Sequence, residues 1–312
     1  MTCNVTISFN EEVDDSFVGY FTYVVWFIVF PIVILNLLLL FVIVCNKDLR
    51  KRRSNKFALS LFTFHALNGI SGFIEAGNVI ATRKSSMMFR EGTWRYYLYL
   101  SGQVISGSIF INMLLIVIDR FMAIRYPFFY QNVKTRTLIL YAFLIGNFPY
   151  SLGWIVSSIK HKQVAFLTIA VTIPPVLSFV VYANSVVYMQ TRKQFKDIVK
   201  LTISNDHTEN TKERQRLAKR QLRSLRVCLS LMLSFLIAWL PLVVLMLFAY
   251  FVGSSCININ LFLYVHALWS LNSVVDPILY ASFNRDVKNK LKRIITICKT
   301  RKNDTERENQ RC

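Results

Sequence analysis

Residues 111–130 read INMLLIVIDRFMAIRYPFFY, an apolar run that ends with Asp119 set directly against Arg120. Neighbouring helical residues point in different directions, so an ion pair between them adds little to a fold. In hydrocarbon both charges are costly, and such groups mark a functional site. The same stretch closes a charge-free run of 23 residues between Arg95 and Asp119. A helix crossing ~30 Å of hydrocarbon takes about 20 residues. The run is therefore a membrane span, and the charge pair sits at its end.

Further runs of this kind flank it. Between Asp15 and Lys47 lie 31 uncharged residues, Thr137–Ile159 gives 23, and Gln163–Thr191 gives 29. Phe57–Thr82 is interrupted by His65 and Glu75 alone. Val227–Val275 has 49 uncharged residues, too many for one crossing, and divides at GSSCININ (253–260), where turn formers cluster. The count is seven spans, expected as helices over about 19–45, 56–81, 94–126, 137–159, 164–192, 221–252 and 260–283. The fold class is an all-α membrane protein, a seven-transmembrane helix bundle. Across 312 residues the chain is 54% hydrophobic, with mean hydropathy +0.41, which a soluble core of this length does not need.

Basic residues set the orientation. The segments between spans on one side (46–56, 120–136, 192–226 and 284–312) hold 31 Lys and Arg, and those on the other hold 6. The positive-inside rule then expects an extracellular N-terminus (1–18) and a cytoplasmic C-terminus in a multi-pass plasma-membrane protein. The net charge of +20 is explained by topology and anionic inner-leaflet lipid, and implies no nucleic-acid partner. The first 15 residues are polar and acidic, so the first span is expected to serve as the targeting signal. Asn4, in NVT, is an expected glycosylation site on the outer side. Cys3 and Cys256 are the two cysteines expected outside; they are candidates for one disulfide or for two separate thiols. After Phe283, residues 284–297 place Val287, Leu291, Ile294 and Ile295 on one face, as in an amphipathic helix lying on a bilayer. Cys298 opens the tail 298–312 and is a candidate for palmitoylation or for a free thiol.

Four sequence motifs lie in order along the spans. DRF (119–121) is followed by Pro127; Pro174 and Tyr182 stand eight apart in span 5; FLIAWLP (235–241) lies in span 6; NSVVDPILY (272–280) lies in span 7. With Asn36 in span 1, these residues resemble the rhodopsin-like (class A) G-protein-coupled receptors over nearly the whole chain. DRF resembles their Asp-Arg-Tyr signature. FLIAWLP resembles Phe-x-x-Cys-Trp-x-Pro with Ala238 in place of Cys, and DPILY resembles Asn-Pro-x-x-Tyr in an Asp form.

The resemblance implies that Arg120 is held at the cytoplasmic end of span 3 at rest and freed on activation to face Tyr182, Tyr280 and an inserted G-protein tail. Asp119 is its nearest acceptor, which an arginine beside a low-dielectric cavity requires. Pro241 and Pro277 remove backbone hydrogen bonds and supply kinks. Trp239 senses the ligand, Phe235 belongs to the same activation switch, and Phe128 docks on the G protein. Heterotrimeric G proteins are the implied partner within the lipid bilayer, with arrestin as a further one.

Departures from the pattern are informative. The family's mid-membrane Asp of span 2 falls at His65, so the usual sodium pocket lacks a carboxylate for a hard cation. His65 is expected to pair with Asp276, in a polar network with Asn36, Asn272 and Ser273, and sodium is expected to bind weakly. Gln221 stands where some members carry a Glu that pairs with the span 3 Arg, and a neutral partner implies raised ligand-free signalling. The family's cysteine at the outer end of span 3 falls at Arg95, and the second outer loop (160–163) is nearly absent. Gly102 falls where aminergic receptors carry an Asp, which argues against a biogenic-amine ligand. Span 7 has no lysine for retinal. The missing span 3 cysteine, the short second outer loop, Glu75 and the DPILY form together look like the branch of melanocortin, lysophospholipid, cannabinoid and adenosine receptors.

Candidate ligand-binding residues in the outer third are Glu75, Gln103, Trp239, His266 and Trp269; Glu75 alternatively pairs with Arg95 or His266. An extracellular small molecule, lipid or peptide is the expected ligand. A modulatory seven-helix receptor without signalling, or a transporter or proton pump using His65 and Asp276, is the alternative; neither inverted repeats nor broken helices favour the latter. No phosphate-cradling glycine loop or His-Glu-x-x-His is present, and the four histidines are scattered, so neither an enzyme, a cofactor nor a metal is expected.

Overall fold

The structure is a computed structural model that describes residues 15–82, 94–132, 134, 162–203, 209–252, 259–294 and 296. Among the described residues every regular element is helical. Span 1 is α1 (Asp15–Val24), a π-helical turn (Val25–Val29) and α2 (Phe30–Cys45). The Phe30 N–H bonds to the Val25 carbonyl, and Pro31 follows at once. A proline crowds the carbonyl four residues back, and the wider turn relieves that clash.

Asn46 is extended and its side chain donates to the Val42 carbonyl at 2.6 Å, which ends the helix. A short helix α3 (Lys47–Lys51) turns the chain into α4 (Arg53–Thr82), the second span. α5 (Trp94–Arg125) is span 3, and α6 (Pro127–Asn132) folds back beneath it. Span 5 is α7 (Lys162–Ile203), span 6 is α8 (Glu209–Val252) and span 7 is α9 (Ile259–Phe283). A further helix, α10, covers 285–294. The expected span 4 (137–159) lies outside the described residues, as do Cys3, Asn4, Cys256 and Cys298.

α7 and α8 outrun the hydrocarbon. At 42 and 44 residues they are about 63 and 66 Å long at 1.5 Å per residue. Their ends are rich in Lys, Arg, Gln and Leu, all good helix formers, so the helix continues after the apolar run has stopped.

Packing is reversed relative to a water-soluble bundle. Exposed apolar side chains recur along single faces, such as Leu233, Ile237, Leu240 and Val244 on α8, and Phe27, Phe30, Ile34 and Phe41 on span 1. Buried among the helices are Asn36, His65, Asn112, Asn272, Ser273 and Asp276, beside a core of Phe57, Leu61, Phe62, Met113 and Phe235. A solvent of lipid gives this arrangement, because polar groups must then find partners inside. Spans 1 and 2 approach closely at Gly69, where a Cβ would stand 2.8 Å from Ile32 and Val33 methyls. Asn112 ties span 3 to span 2 by accepting from the Ser60 hydroxyl at 2.6 Å. Arg52 pairs with Asp286, tethering α10 to the elbow before α4.

Candidate functional site

The polar hub lies at mid-bundle, on Asp276. Asp276 and His65 are both 0% exposed, and His65 Nε2 stands 3.2 Å from Asp276 Oδ2. The other ring nitrogen, Nδ1, is 2.7 Å from the Ser273 hydroxyl. With Nε2–H donating to the carboxylate, Nδ1 accepts from Ser273, so the pairing also selects the tautomer. The Ser234 hydroxyl donates to Asp276 Oδ1 at 2.7 Å, and the Asn272 amide donates to Oδ2 at 3.2 Å. Asn36 donates to the Ser273 carbonyl at 2.9 Å. Spans 1, 2, 6 and 7 are thus tied through one carboxylate and its neighbours. A buried charge requires such partners, and Asp276 has three donors.

The second cluster is at the end of span 3. Asp119 is 1% exposed; Arg120 Nη2 pairs with its Oδ2 at 3.0 Å, while Arg53 Nε pairs with Oδ1 at 3.0 Å. The Tyr130 hydroxyl donates to the same Oδ1 at 3.0 Å. Arg53 also donates to the Tyr130 carbonyl at 3.2 Å and lies 4.0 Å over its ring, a cation–π contact. Burial first, and the Asp119 charge second, push the Tyr130 hydroxyl up to about 12. Span 3, the start of span 2 and α6 therefore converge on one carboxylate, with Arg120 held on its free oxygen.

The third cluster is aromatic. Trp239 stacks on Phe235 at 5.3 Å between centroids, meets Phe110 at 5.2 Å and stands edge-on to Trp269 at 6.0 Å. Its Nε1 is buried without a hydrogen-bond partner among the described residues. His266 packs on Trp269 at 5.4 Å and interacts electrostatically with Glu75. Pro241 lies inside α8, two residues beyond Trp239, and Pro277 lies inside α9 beside Asp276.

Residues 156–280 match the profile described as 7 transmembrane receptor (rhodopsin family), and residues 16–153 match that of the serpentine type 7TM GPCR chemoreceptor Srbc. Cannabinoid receptor 1 of Xenopus laevis is 26% identical over 288 residues, 81% of this chain and 58% of that protein. Cannabinoid receptor type 1B of Takifugu rubripes is 24% identical over 297 residues, 85% of this chain and 60% of that protein. Both halves of the chain are thus similar to seven-transmembrane receptors, and the findings support a rhodopsin-like G-protein-coupled receptor. The chain spans about three fifths of the length of these curated relatives.

The receptor is an all-α, seven-transmembrane, multi-pass membrane protein, and its relatives fall within the four-way branch that its outer features resemble. Other expected switch residues are dispersed. Tyr182 is 60% exposed on the outside of span 5, with its ring 6.4 Å from that of Phe121. Tyr280 is buried, donates to Asn55 Oδ1 at 2.6 Å and stands edge-on to Phe62 at 5.2 Å. Phe128 is 85% exposed at the start of α6. Gln221 lies on α8 and Gln103 on α5, with side chains outside the described residues, as is that of Arg95.

Three participants escaped sequence reasoning. Arg53 reads as one of a run of basic residues at a span end, and Tyr130 as an interfacial aromatic. Ser234 reads as a small residue in an apolar helix. One signal was present for Tyr130: helix-starting Pro127 fixes a short helix that returns the chain toward Asp119.

Proposed function

We propose that this receptor takes an extracellular ligand into the outer third of the bundle and activates a heterotrimeric G protein when span 6 moves away from Arg120. The observation that carries the reading is the Asp119 cluster. A guanidinium that is 18% exposed is held by a carboxylate that is 1% exposed, and that carboxylate is itself fixed to span 2 by Arg53. An ion pair this constrained has two discrete states, held or released, and a ligand biases them only through differential affinity.

The ligand reading rests on the aromatic cluster. Phe110, Trp239, Trp269 and His266, with Glu75 beside them, suit an apolar molecule with a small polar handle. The two relatives are named as cannabinoid receptors, which favours an apolar ligand over a peptide. The basic bias supports an N-terminus outside the cell and an Arg120 end in the cytosol, where arrestin would be a second partner. A proton-pump reading draws on the His65–Asp276 pair, but the Ser234 and Asn272 donors already satisfy Asp276 and leave the pair a structural part in the hub.

Guanine-nucleotide exchange by a panel of G proteins, with wild-type and Arg120→Ala receptor at equal surface expression, tests the reading. Wild type is expected to exchange above the Arg120→Ala baseline even without ligand, because position 221 carries a neutral Gln where some members carry a Glu. Exchange by Arg120→Ala equal to that of wild type, ligand-free and with apolar ligand libraries, overturns it.

A further inference from the structure

A groove of about 320 Å³ opens between span 1, span 7 and α10. Its walls are apolar at one end, where Leu35, Leu38, Pro277 and Ile278 line it, and charged at the other, where Lys288 and Lys292 do. The two lysines are four residues apart on α10, one above the other on the same face, and Leu291 lies between them and the bundle. Depth follows from helix rise. Leu35 lies ten residues before Cys45, about 15 Å into the hydrocarbon, and Pro277 lies six before Phe283, about 9 Å in. α10 begins where span 7 ends, at headgroup level.

An apolar slot 9–15 Å deep, with Lys288 and Lys292 at its interfacial end, has the polarity of a phospholipid: acyl carbons below, phosphate above. We infer that this groove binds a single anionic phospholipid from the leaflet at the Phe283 end, its phosphate on Lys288 and Lys292 and one acyl chain along Leu35, Leu38 and Ile278. A zwitterionic lipid carries its own cation beside the phosphate and gains less from the lysines. Lys290 and Arg293 lie on the same helix but do not line the groove, and they contribute only to the general field.

The test uses the full chain in nanodiscs of phosphatidylcholine that carry a trace of photoactivatable phosphatidylserine, with the reactive group in the acyl chain. Both leaflets present the same lipid, so the result does not depend on which end faces the cytosol. Cross-links are expected on peptides containing Leu35–Leu39 and Ile278–Ser282. Lys288→Ala with Lys292→Ala is expected to reduce them about tenfold or more, since each lysine near an anionic surface is worth roughly a fivefold factor. Lys290→Ala with Arg293→Ala is expected to leave them within about twofold. Ser282→Phe, which fills the groove and keeps both lysines, is expected to abolish them, with thermal stability checking its fold. Equal losses from the two double variants, equal labelling by a phosphatidylcholine probe, or undiminished labelling of Ser282→Phe each overturn the inference.

Discussion

Replacing His65 by leucine leaves Asp276 with the Ser234 hydroxyl and the Asn272 amide as its remaining donors. Removing one partner from a buried pair costs about 3–5 kcal/mol, and the two surviving donors put this case near the lower end. His65→Leu is therefore expected to lower thermal stability in detergent by an amount equivalent to about 3 kcal/mol. An unchanged melting temperature shows that the 3.2 Å contact contributes nothing. The same residue decides the response to sodium. An imidazole offers no oxygen to a hard cation, so wild-type stability should be equal in sodium and choline chloride. His65→Asp places a second carboxylate beside Asp276 and is expected to create a sodium-dependent rise in stability. Such a rise in wild type would remove the imidazole from this role.

At the scale of elements, Asp119 couples three helices, and its two oxygens divide the work. Oδ1 takes Arg53 from α4 and Tyr130 from α6, and Oδ2 takes Arg120. Arg53 neutralises part of the carboxylate and so weakens its hold on Arg120. Arg53→Ala is accordingly expected to lower ligand-free nucleotide exchange, whereas Asp119→Asn, which loosens both arginines, is expected to raise it. Identical shifts in the two variants would show that the cluster acts only as a fold anchor. Tyr130 titrates at about 12, above its ordinary 10.0, so its bond to Asp119 is complete below about pH 10 and is lost as pH rises through about 12. Tyr130→Phe should therefore lower stability equally anywhere between about pH 6 and pH 9.

These couplings also mark where the sequence stops being readable. Among the described residues, runs without charge coincide with long apolar helices, because the cost of a charge in hydrocarbon is paid along the chain and leaves a linear trace. His65 and Asp276 were paired by counting along two spans with recognisable motifs. Arg53, Tyr130 and Ser234 carry no such trace. Each is an ordinary residue type whose role is set by which neighbouring helix lies a few ångströms away, and one chain alone does not encode that distance as a pattern. Hydropathy likewise missed the continuation of α7, since it reports the surrounding solvent rather than the backbone hydrogen bonds.

For the molecule as a whole, the long lever of α8 converts a small rotation at Pro241 into a large movement at its far end. Ser234 is seven residues from Pro241 and Arg226 fifteen, about 10 and 22 Å along the axis. A hinge rotation of about 20° moves Ser234 by about 4 Å and Arg226 by about 8 Å. A swing that carries Ser234 about 4 Å away from Asp276 takes the 2.7 Å contact beyond hydrogen-bond range and so breaks it. The hub is then a brake on activation. Ser234→Ala, which releases that brake and leaves His65 and Asn272 on Asp276, is expected to raise ligand-free exchange several-fold, a neutral-to-charged hydrogen bond being worth about 1.5–3 kcal/mol. Spin labels at Lys56→Cys on α4 and Arg226→Cys on α8 read the movement directly. Their separation should lengthen by several ångströms when nucleotide-free G protein is added, and the longer population should already be enriched in Ser234→Ala without it. A separation unchanged by both treatments would mean that α8 does not pivot at Pro241, and the coupling of hub to Arg120 would have to run through another helix.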